Sequence, residues 1–359
     1  MPLPTPREAA AQWAVEGAWQ KRYAGPTGET ETVGMSYVLV AAGLSLLLIG
    51  GELLVRGAVS FARQLGVSPL IIGFTIVAYG TSAPELLVSL EAHLSGSPGI
   101  AIGNVVGSNI ANLLLIIGCS ALIFPIACGP TCGDRMHGPV VFGATLLLVI
   151  LGLTGAITAW AGVPMLVMLI GFTVISYRRE QRSSRAESGV LKEVEELESG
   201  PKSSWGNLAI LFAGIVGVVL GSHFLVTGAV DLAREFHVSE ATIGLTLVAI
   251  GTSLPELATA VVAAYRRHSD VALGNVVGSN IFNTLGIMGI VPLFGPLPVP
   301  DALADFDLWV MLAATAFFVF WVMYRNAVGR SLAVVFLLVY VGYVACHYLG
   351  ISALSVAAV

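Results

Sequence analysis

Two glutamates stand inside apolar sequence, each behind the same five-residue signature. Glu85 lies in GFTIVAYGTSAPELLVS (residues 73–89) and Glu256 in GLTLVAIGTSLPELATA (residues 244–260), and each follows Gly-Thr-Ser-x-Pro. A carboxylate inside a membrane span costs about 2.5–3.5 kcal/mol on insertion scales. No basic residue lies close in sequence to offset that cost, but a bound cation would. Pro84 and Pro255 carry no N–H, so the carbonyls four residues back, on Gly80 and Gly251, lose their helical partners. Freed carbonyls and the hydroxyls of Thr81, Ser82, Thr252 and Ser253 then present oxygen at the kink. Irregular backbone at that depth is tolerated only where it is buried in protein or lines a cavity.

A second motif accompanies the first. Residues 103–112 read GNVVGSNIAN and residues 274–283 read GNVVGSNIFN. Ser108 and Asn112 are four apart and share one helix face, as do Ser279 and Asn283. They offer neutral oxygens to the same centre. Asn104, Asn109, Asn275 and Asn280 fall on other faces and read as hydrogen-bonding groups between helices. Gly103 and Gly107, like Gly274 and Gly278, form small-xxx-small pairs that let helices approach closely. The ligand inventory is all oxygen, with no Cys, His or Met in either signature region. Hard cations such as Ca²⁺ and Na⁺ take that shell, whereas transition metals prefer nitrogen or sulfur. Two carboxylates balance one Ca²⁺ or two Na⁺.

The elements that position these groups follow from composition. The 359 residues are 56% hydrophobic and 11% charged, with a mean hydropathy of +0.87. A soluble domain carries about 25% charged residues, so the solvent here is lipid. The net charge of −5, without a basic block, excludes a nucleic-acid binder. Apolar runs of about 20 residues mark membrane helices. Ten fall near 35–60, 67–92, 100–124, 139–157, 161–177, 207–230, 241–264, 271–294, 307–324 and 331–350. The residues before 35 are polar and lack the apolar stretch of a signal peptide. They fit either a short surface helix around Trp13 and Trp19 or a disordered segment. The organisation is then a polar extracytoplasmic segment 1–34, a five-helix repeat 35–177, a cytoplasmic linker 178–206, a second five-helix repeat 207–350 and a tail 351–359. The linker is shorter than the roughly 50 residues of a folded domain.

Positive charge sets the orientation. With the N-terminus outside, 13 Lys and Arg residues fall on the cytoplasmic side and 4 outside. Both termini are therefore expected outside, in a multi-pass inner (plasma) membrane protein. Cys119 and Cys346 lie in apolar stretches as packing residues. Cys128 and Cys132 flank a loop, where only Asp134 and His137 stand near enough to help, short of a four-ligand zinc pattern.

The two motif pairs repeat at one gapless offset of 171 residues, and the offset reaches back to Leu54, Val55, Gly57, Ala58 and Val59 against Leu225, Val226, Gly228, Ala229 and Val230. Two copies of a five-span unit must be inverted, since an odd number of spans flips the second copy. The fold class is an all-α membrane protein of ten transmembrane helices in two inverted five-helix repeats, with the ion site at the midplane between them.

At these residues the sequence resembles the calcium/cation antiporter superfamily and, within it, the prokaryotic sodium/calcium exchangers. The paired motifs around Glu85 and Glu256, and those ending at Asn112 and Asn283, look like that family's two alpha repeats. The resemblance covers roughly residues 35–350. It implies exchange of three Na⁺ for one Ca²⁺ by alternating access, with the calcium site on Thr81, Glu85, Thr252 and Glu256. The sodium sites it implies add Ser82, Ser108, Ser253 and Ser279, with the backbone carbonyls of Ala78 and Ala249. It also implies that the first and sixth helices slide across the rest. Family members that carry potassium have an acidic residue where this chain has Asn283, which speaks against potassium dependence. The implied partners are Ca²⁺, Na⁺ and the bilayer, with no cofactor and a monomer as the working unit.

Three other readings compete. The two glutamates could carry protons instead, giving a Ca²⁺/H⁺ antiporter. A cation channel needs a continuous pore, and one carboxylate per inverted half argues against it. An enzyme is the least favoured class, since no intramembrane His cluster, zinc motif or Ser/His/Asp set is visible.

Overall fold

The computed structural model describes residues 31–127, 137–187, 204–235, 251–325 and 327–348. The candidate loop cysteines Cys128 and Cys132 with Asp134, the N-terminal tryptophans, the first half of the seventh span with Ala249, and the C-terminal tail lie outside them. Seven described helices are long and apolar enough to cross a membrane, a bent pair makes an eighth, and two shorter apolar helices bring the described set to ten. In chain order these are α1 (Glu31–Leu65), α2 (Pro69–Thr81 and Ala83–Leu94), α3 (Pro98–Ile123), α4 (His137–Gly152) and α5 (Ala159–Glu187). The second half supplies α6 (Ser204–Glu235), α7 (Leu254–Tyr265), α8 (Ser269–Phe294), α9 (Leu303–Arg325) and α10 (Arg330–Tyr348). α5 runs to Glu187, past the apolar stretch that ends near 177, because its Arg, Gln, Glu and Ala residues are sound helix formers with no need of lipid.

α1 and α6 pack as one antiparallel pair, backbone against backbone. A Cβ on Gly43 would lie 2.5 Å from the Leu225 nitrogen, one on Gly50 2.7 Å from the Val218 nitrogen, and one on Gly57 2.6 Å from the Leu211 nitrogen. Their repeat partners Gly214, Gly221 and Gly228 face back against the backbone of Leu54, Leu47 and Ser36. Glycine every seventh residue on both helices thus keeps one seam bare of side chains. Apolar side chains flank it, with Leu47, Leu54, Ala58, Leu211 and Val218 buried. The remaining helices form the larger core, centred on α3, α8 and the apolar face of α4.

Two short strand pairs tie the halves together at their loops. β1 (Ile126–Ala127), after α3, pairs antiparallel with β4 (Ala327–Val328), before α10. β2 (Ala156–Ile157), after α4, pairs with β3 (Leu297–Pro298), before α9. The offset of 171 converts β1 into β3 and β2 into β4, so one pairing is the inverted image of the other. The repeat therefore extends past the three helices in which sequence identity exposes it.

The α2–α3 and α7–α8 turns repeat each other as well. Gly96 takes φ +80°, and Arg267 at the matching position takes φ +63°. A left-handed conformation costs a side-chain-bearing residue about 1–2 kcal/mol. The Arg267 guanidinium lies over the Phe124 ring at 5.3 Å, which offsets part of that cost.

Candidate ion-binding site

α2 breaks at Ser82. Its limbs Pro69–Thr81 and Ala83–Leu94 meet at 41°. Ser82 adopts φ −85°, ψ 7°, and Ser253 before α7 adopts φ −88°, ψ 4°. The two Gly-Thr-Ser-x-Pro segments thus give the serine before each proline the same conformation. Each proline enters the first turn of the following helix, where its missing N–H costs nothing. Each glutamate follows its proline directly, in the first turn of that helix. There the helix dipole favours negative charge.

The breaks bring the glutamates into the middle of the protein, each 1% exposed. Each is then met by a serine of the other half. Ser82 donates to Glu256 Oε1 at 2.8 Å, and Ser253 stands 3.4 Å from both Glu85 Oε1 and Ser108 Oγ. The backbone behind each carboxylate is fixed by a matched asparagine. Asn104 Nδ2 donates to the Glu85 carbonyl at 3.1 Å and to Ser89 Oγ at 2.9 Å, and Asn275 Nδ2 donates to the Glu256 carbonyl at 3.4 Å. Asn275 Oδ1 accepts from Thr81 at 3.2 Å.

A second layer lies between α3 and α8. Asn112 Nδ2 donates to Asn280 Oδ1 at 2.9 Å, Asn280 Nδ2 to the Asn109 carbonyl at 3.2 Å, and Asn109 Nδ2 to Thr284 Oγ1 at 2.9 Å. Asn104, Asn109, Asn275 and Asn280 accordingly bond between helices. Both helices widen into π-helix at this depth, over Asn112–Ile116 in α3 and Phe282–Ile287 in α8. Such widening turns off the regular bonding ladder and recurs at functional sites.

What remains unpaired is informative. Glu85 Oε2, Glu256 Oε2, Thr252 Oγ1, Ser279 Oγ, Asn112 Oδ1 and Asn283 Oδ1 are buried oxygens without a protein hydrogen-bond partner. Each such group costs about 1–3 kcal/mol if nothing meets it. These six belong to the two motif pairs and are ligands a hard cation accepts; other unpartnered buried atoms, such as Ser68 Oγ, Ser120 Oγ and Ser176 Oγ, lie elsewhere. Of the sequence-predicted ligands, Thr81, Ser82, Glu85, Ser108, Asn112, Ser253, Glu256, Ser279 and Asn283 are buried, as is Ala78, and Thr252 is half-buried. The Ala78 carbonyl is engaged by the Ser82 amide at 3.0 Å and the Thr81 hydroxyl at 3.3 Å.

The kink carbonyls depart from the simple expectation that both point free oxygen into the site. The Gly251 carbonyl accepts a 2.6 Å bond from Ser222 of α6, because that hydroxyl lies beside the break. The repeat places Gly51 opposite Ser222 and gives α1 no such hydroxyl. Nothing in sequence spacing marked Ser222, which needs α6 docked on the break to matter. Gly274 and Gly278 pack against Leu70 and Phe74 of α2 as close-approach residues. The positions that the repeat sets against Gly103 and Gly107, residues 241 and 245, lie outside the described residues.

The model of the family described as sodium/calcium exchanger protein matches residues 35–178 and 206–349. The chain belongs to this family. It is 39% identical to the putative antiporter CaxA of Alkalimonas amylolytica over 77% of this chain and 86% of the relative. It is 30% identical to the sodium/calcium exchanger MaX1 of Methanosarcina acetivorans over 86% of this chain and 97% of the relative. Its fold is similar to that of the sodium-calcium exchanger NCX_Mj from crystals soaked with Na⁺ and Sr²⁺. That match has a TM-score of 0.75 and 31% identity, covering 87% of this chain and 98% of the other. The ten-helix, two-repeat architecture is thus common to the chain and to a solved exchanger, and membership makes the protein a membrane cation antiporter.

Proposed function

We propose that the protein exchanges Na⁺ for Ca²⁺ by alternating access, three Na⁺ for one Ca²⁺, working as a monomer in the inner membrane with both termini outside. In this reading Ca²⁺ is held by Glu85, Glu256, Thr81 and Thr252. Na⁺ ions use the same groups with Ser82, Ser108, Ser253 and Ser279 and the carbonyls of Ala78 and Ala249, and Asn112 and Asn283 add neutral oxygen. The observation that carries the proposal is the carboxylate pair. Each glutamate has one oxygen near a serine of the opposite half and one without a protein hydrogen-bond partner. One divalent cation between them cancels both charges. Two Na⁺ also cancel them, and a third must rely on neutral oxygen, so it leaves easily. The backbone-to-backbone packing along the α1–α6 seam supports their moving as one body across the site.

The deciding assay is ⁴⁵Ca²⁺ uptake into proteoliposomes loaded with Na⁺, beside Na⁺-free and pH-jump controls. Uptake driven by the outward Na⁺ gradient is expected. Uptake that follows the pH jump and ignores Na⁺ would place the protein in proton-coupled exchange. Non-saturating Ca²⁺ flux without a counter-ion would identify a channel.

A further inference from the structure

The two ends of the site are not closed alike. At one end α1 lies against α7. A Cβ on Gly51 would meet Val262 Cγ2 at 3.0 Å and the Ala258 carbonyl at 3.5 Å. At the other end the equivalent contact would join α6 to the second limb of α2, and among the described residues those two elements pack far less closely than α1 and α7 do. Leu87, which the repeat matches to Ala258, is 65% exposed. The closed end is the one the positive-charge count places in the cytoplasm.

That end also carries an ion pair that the repeat does not duplicate. Glu52 of α1 accepts from Arg266, just past α7, at 2.7 Å through Oε2, while Oε1 accepts from Arg56 one turn along α1. The offset of 171 pairs Glu52 with His223 and Arg266 with Ser95, so the repeat does not provide the same ion pair at the open end. A contact shared by both ends cannot favour either state of a symmetric carrier, whereas one confined to a single end must. The pair also spans the boundary that has to move, from the α1/α6 unit to the helix that carries Glu256.

We propose that Glu52 and Arg266 form a charge latch that holds the cytoplasmic mouth shut and biases the resting carrier toward the outward-facing state. The inference rests on the antiport reading and on the orientation given above. With Glu52 22% and Arg266 45% exposed, the pair belongs to the partly exposed class. Such pairs contribute up to about 1 kcal/mol, a shift of about two- to five-fold at 1.4 kcal/mol per tenfold. A ligand that binds only the inward-facing state has its apparent constant divided by that state's population. Opening the latch therefore tightens Ca²⁺ binding at the cytoplasmic face.

The test measures the half-saturating Ca²⁺ concentration of Na⁺-coupled exchange separately in inside-out and right-side-out vesicles. R266Q and E52Q are each expected to lower the cytoplasmic-face constant two- to five-fold and leave the outer-face constant unchanged or raised. The double variant should shift no further than either single one, since both remove the same contact. R266K, which keeps a cation, and R56Q, which leaves Arg266 on Glu52, should keep the wild-type ratio of the two constants. Unshifted constants in R266Q, a lowered outer-face constant, or an additive double variant would each overturn the latch while leaving exchange itself intact. Absence of Na⁺-coupled Ca²⁺ uptake in the wild-type protein would overturn the antiport reading on which the latch depends.

Discussion

Neutralising one glutamate is the sharpest perturbation of the site. Glu256→Gln keeps the shape of the side chain and its place beside Ser82, but removes one of two buried negative charges. With both carboxylates 1% exposed, water cannot supply the missing charge, and a bound Ca²⁺ would retain one uncompensated positive charge. Removing one partner of a buried ion pair costs about 3–5 kcal/mol, so the Ca²⁺ constant should rise by roughly two to three and a half orders of magnitude. Glu85→Gln should behave in the same way, because it removes the other of the two buried charges. The assay is calorimetric Ca²⁺ titration of purified, monodisperse protein, followed by ⁴⁵Ca²⁺ uptake in proteoliposomes. Gel filtration shows whether each variant is folded. A folded Gln variant that binds Ca²⁺ within about tenfold of wild type would show that the second carboxylate does not face the ion, and the charge-balance argument would collapse.

Other outcomes follow from the same geometry. Gly50→Ala or Gly57→Ala puts a methyl into the α1–α6 seam and should cost about 1–3 kcal/mol, read as lost thermal stability in detergent and slowed exchange. Gly171→Ala, with nothing within 4 Å of its added carbon, should be neutral in both measurements. Asp307→Asn weakens the bonds from Tyr343 at 2.8 Å and His347 at 2.7 Å that join α9 to α10; stability should fall while the Ca²⁺ constant stays put, and a large change in that constant would count against a purely structural role. Cysteines at Ile126 and Val328, paired across β1 and β4, should cross-link without stopping exchange, since neither lies on α1 or α6; arrested transport would mean that these loops move.

Much of this architecture could be read before any coordinates. The membrane class follows from composition, and the spans follow from local hydropathy, because lipid selects apolar side chains residue by residue. The inverted repeat follows from one constant offset. The candidate site was equally legible: buried Glu, Ser, Thr and Asn are costly in apolar surroundings, so their recurrence at Glu85, Ser82, Thr81 and Asn112 and again one repeat later signals a task. Even the seam left a trace in Gly43, Gly50 and Gly57 and in Gly214, Gly221 and Gly228, whose sevenfold spacing marks one face of each helix.

Periodicity reports a face and never its partner. Sequence determined that two carboxylates would lie in the membrane behind two kinks, because proline removes an N–H wherever it stands. Only the tertiary structure decided that Ser82 would bond the glutamate of the opposite half, that Ser222 would occupy the Gly251 carbonyl, and that Glu52 would meet Arg266. The residues of these pairs lie from 29 to 214 positions apart, and their meeting depends on how the two inverted halves dock. That docking also decides which end of the site is shut, a choice that a repeated sequence leaves nearly balanced and a few unrepeated side chains can tip.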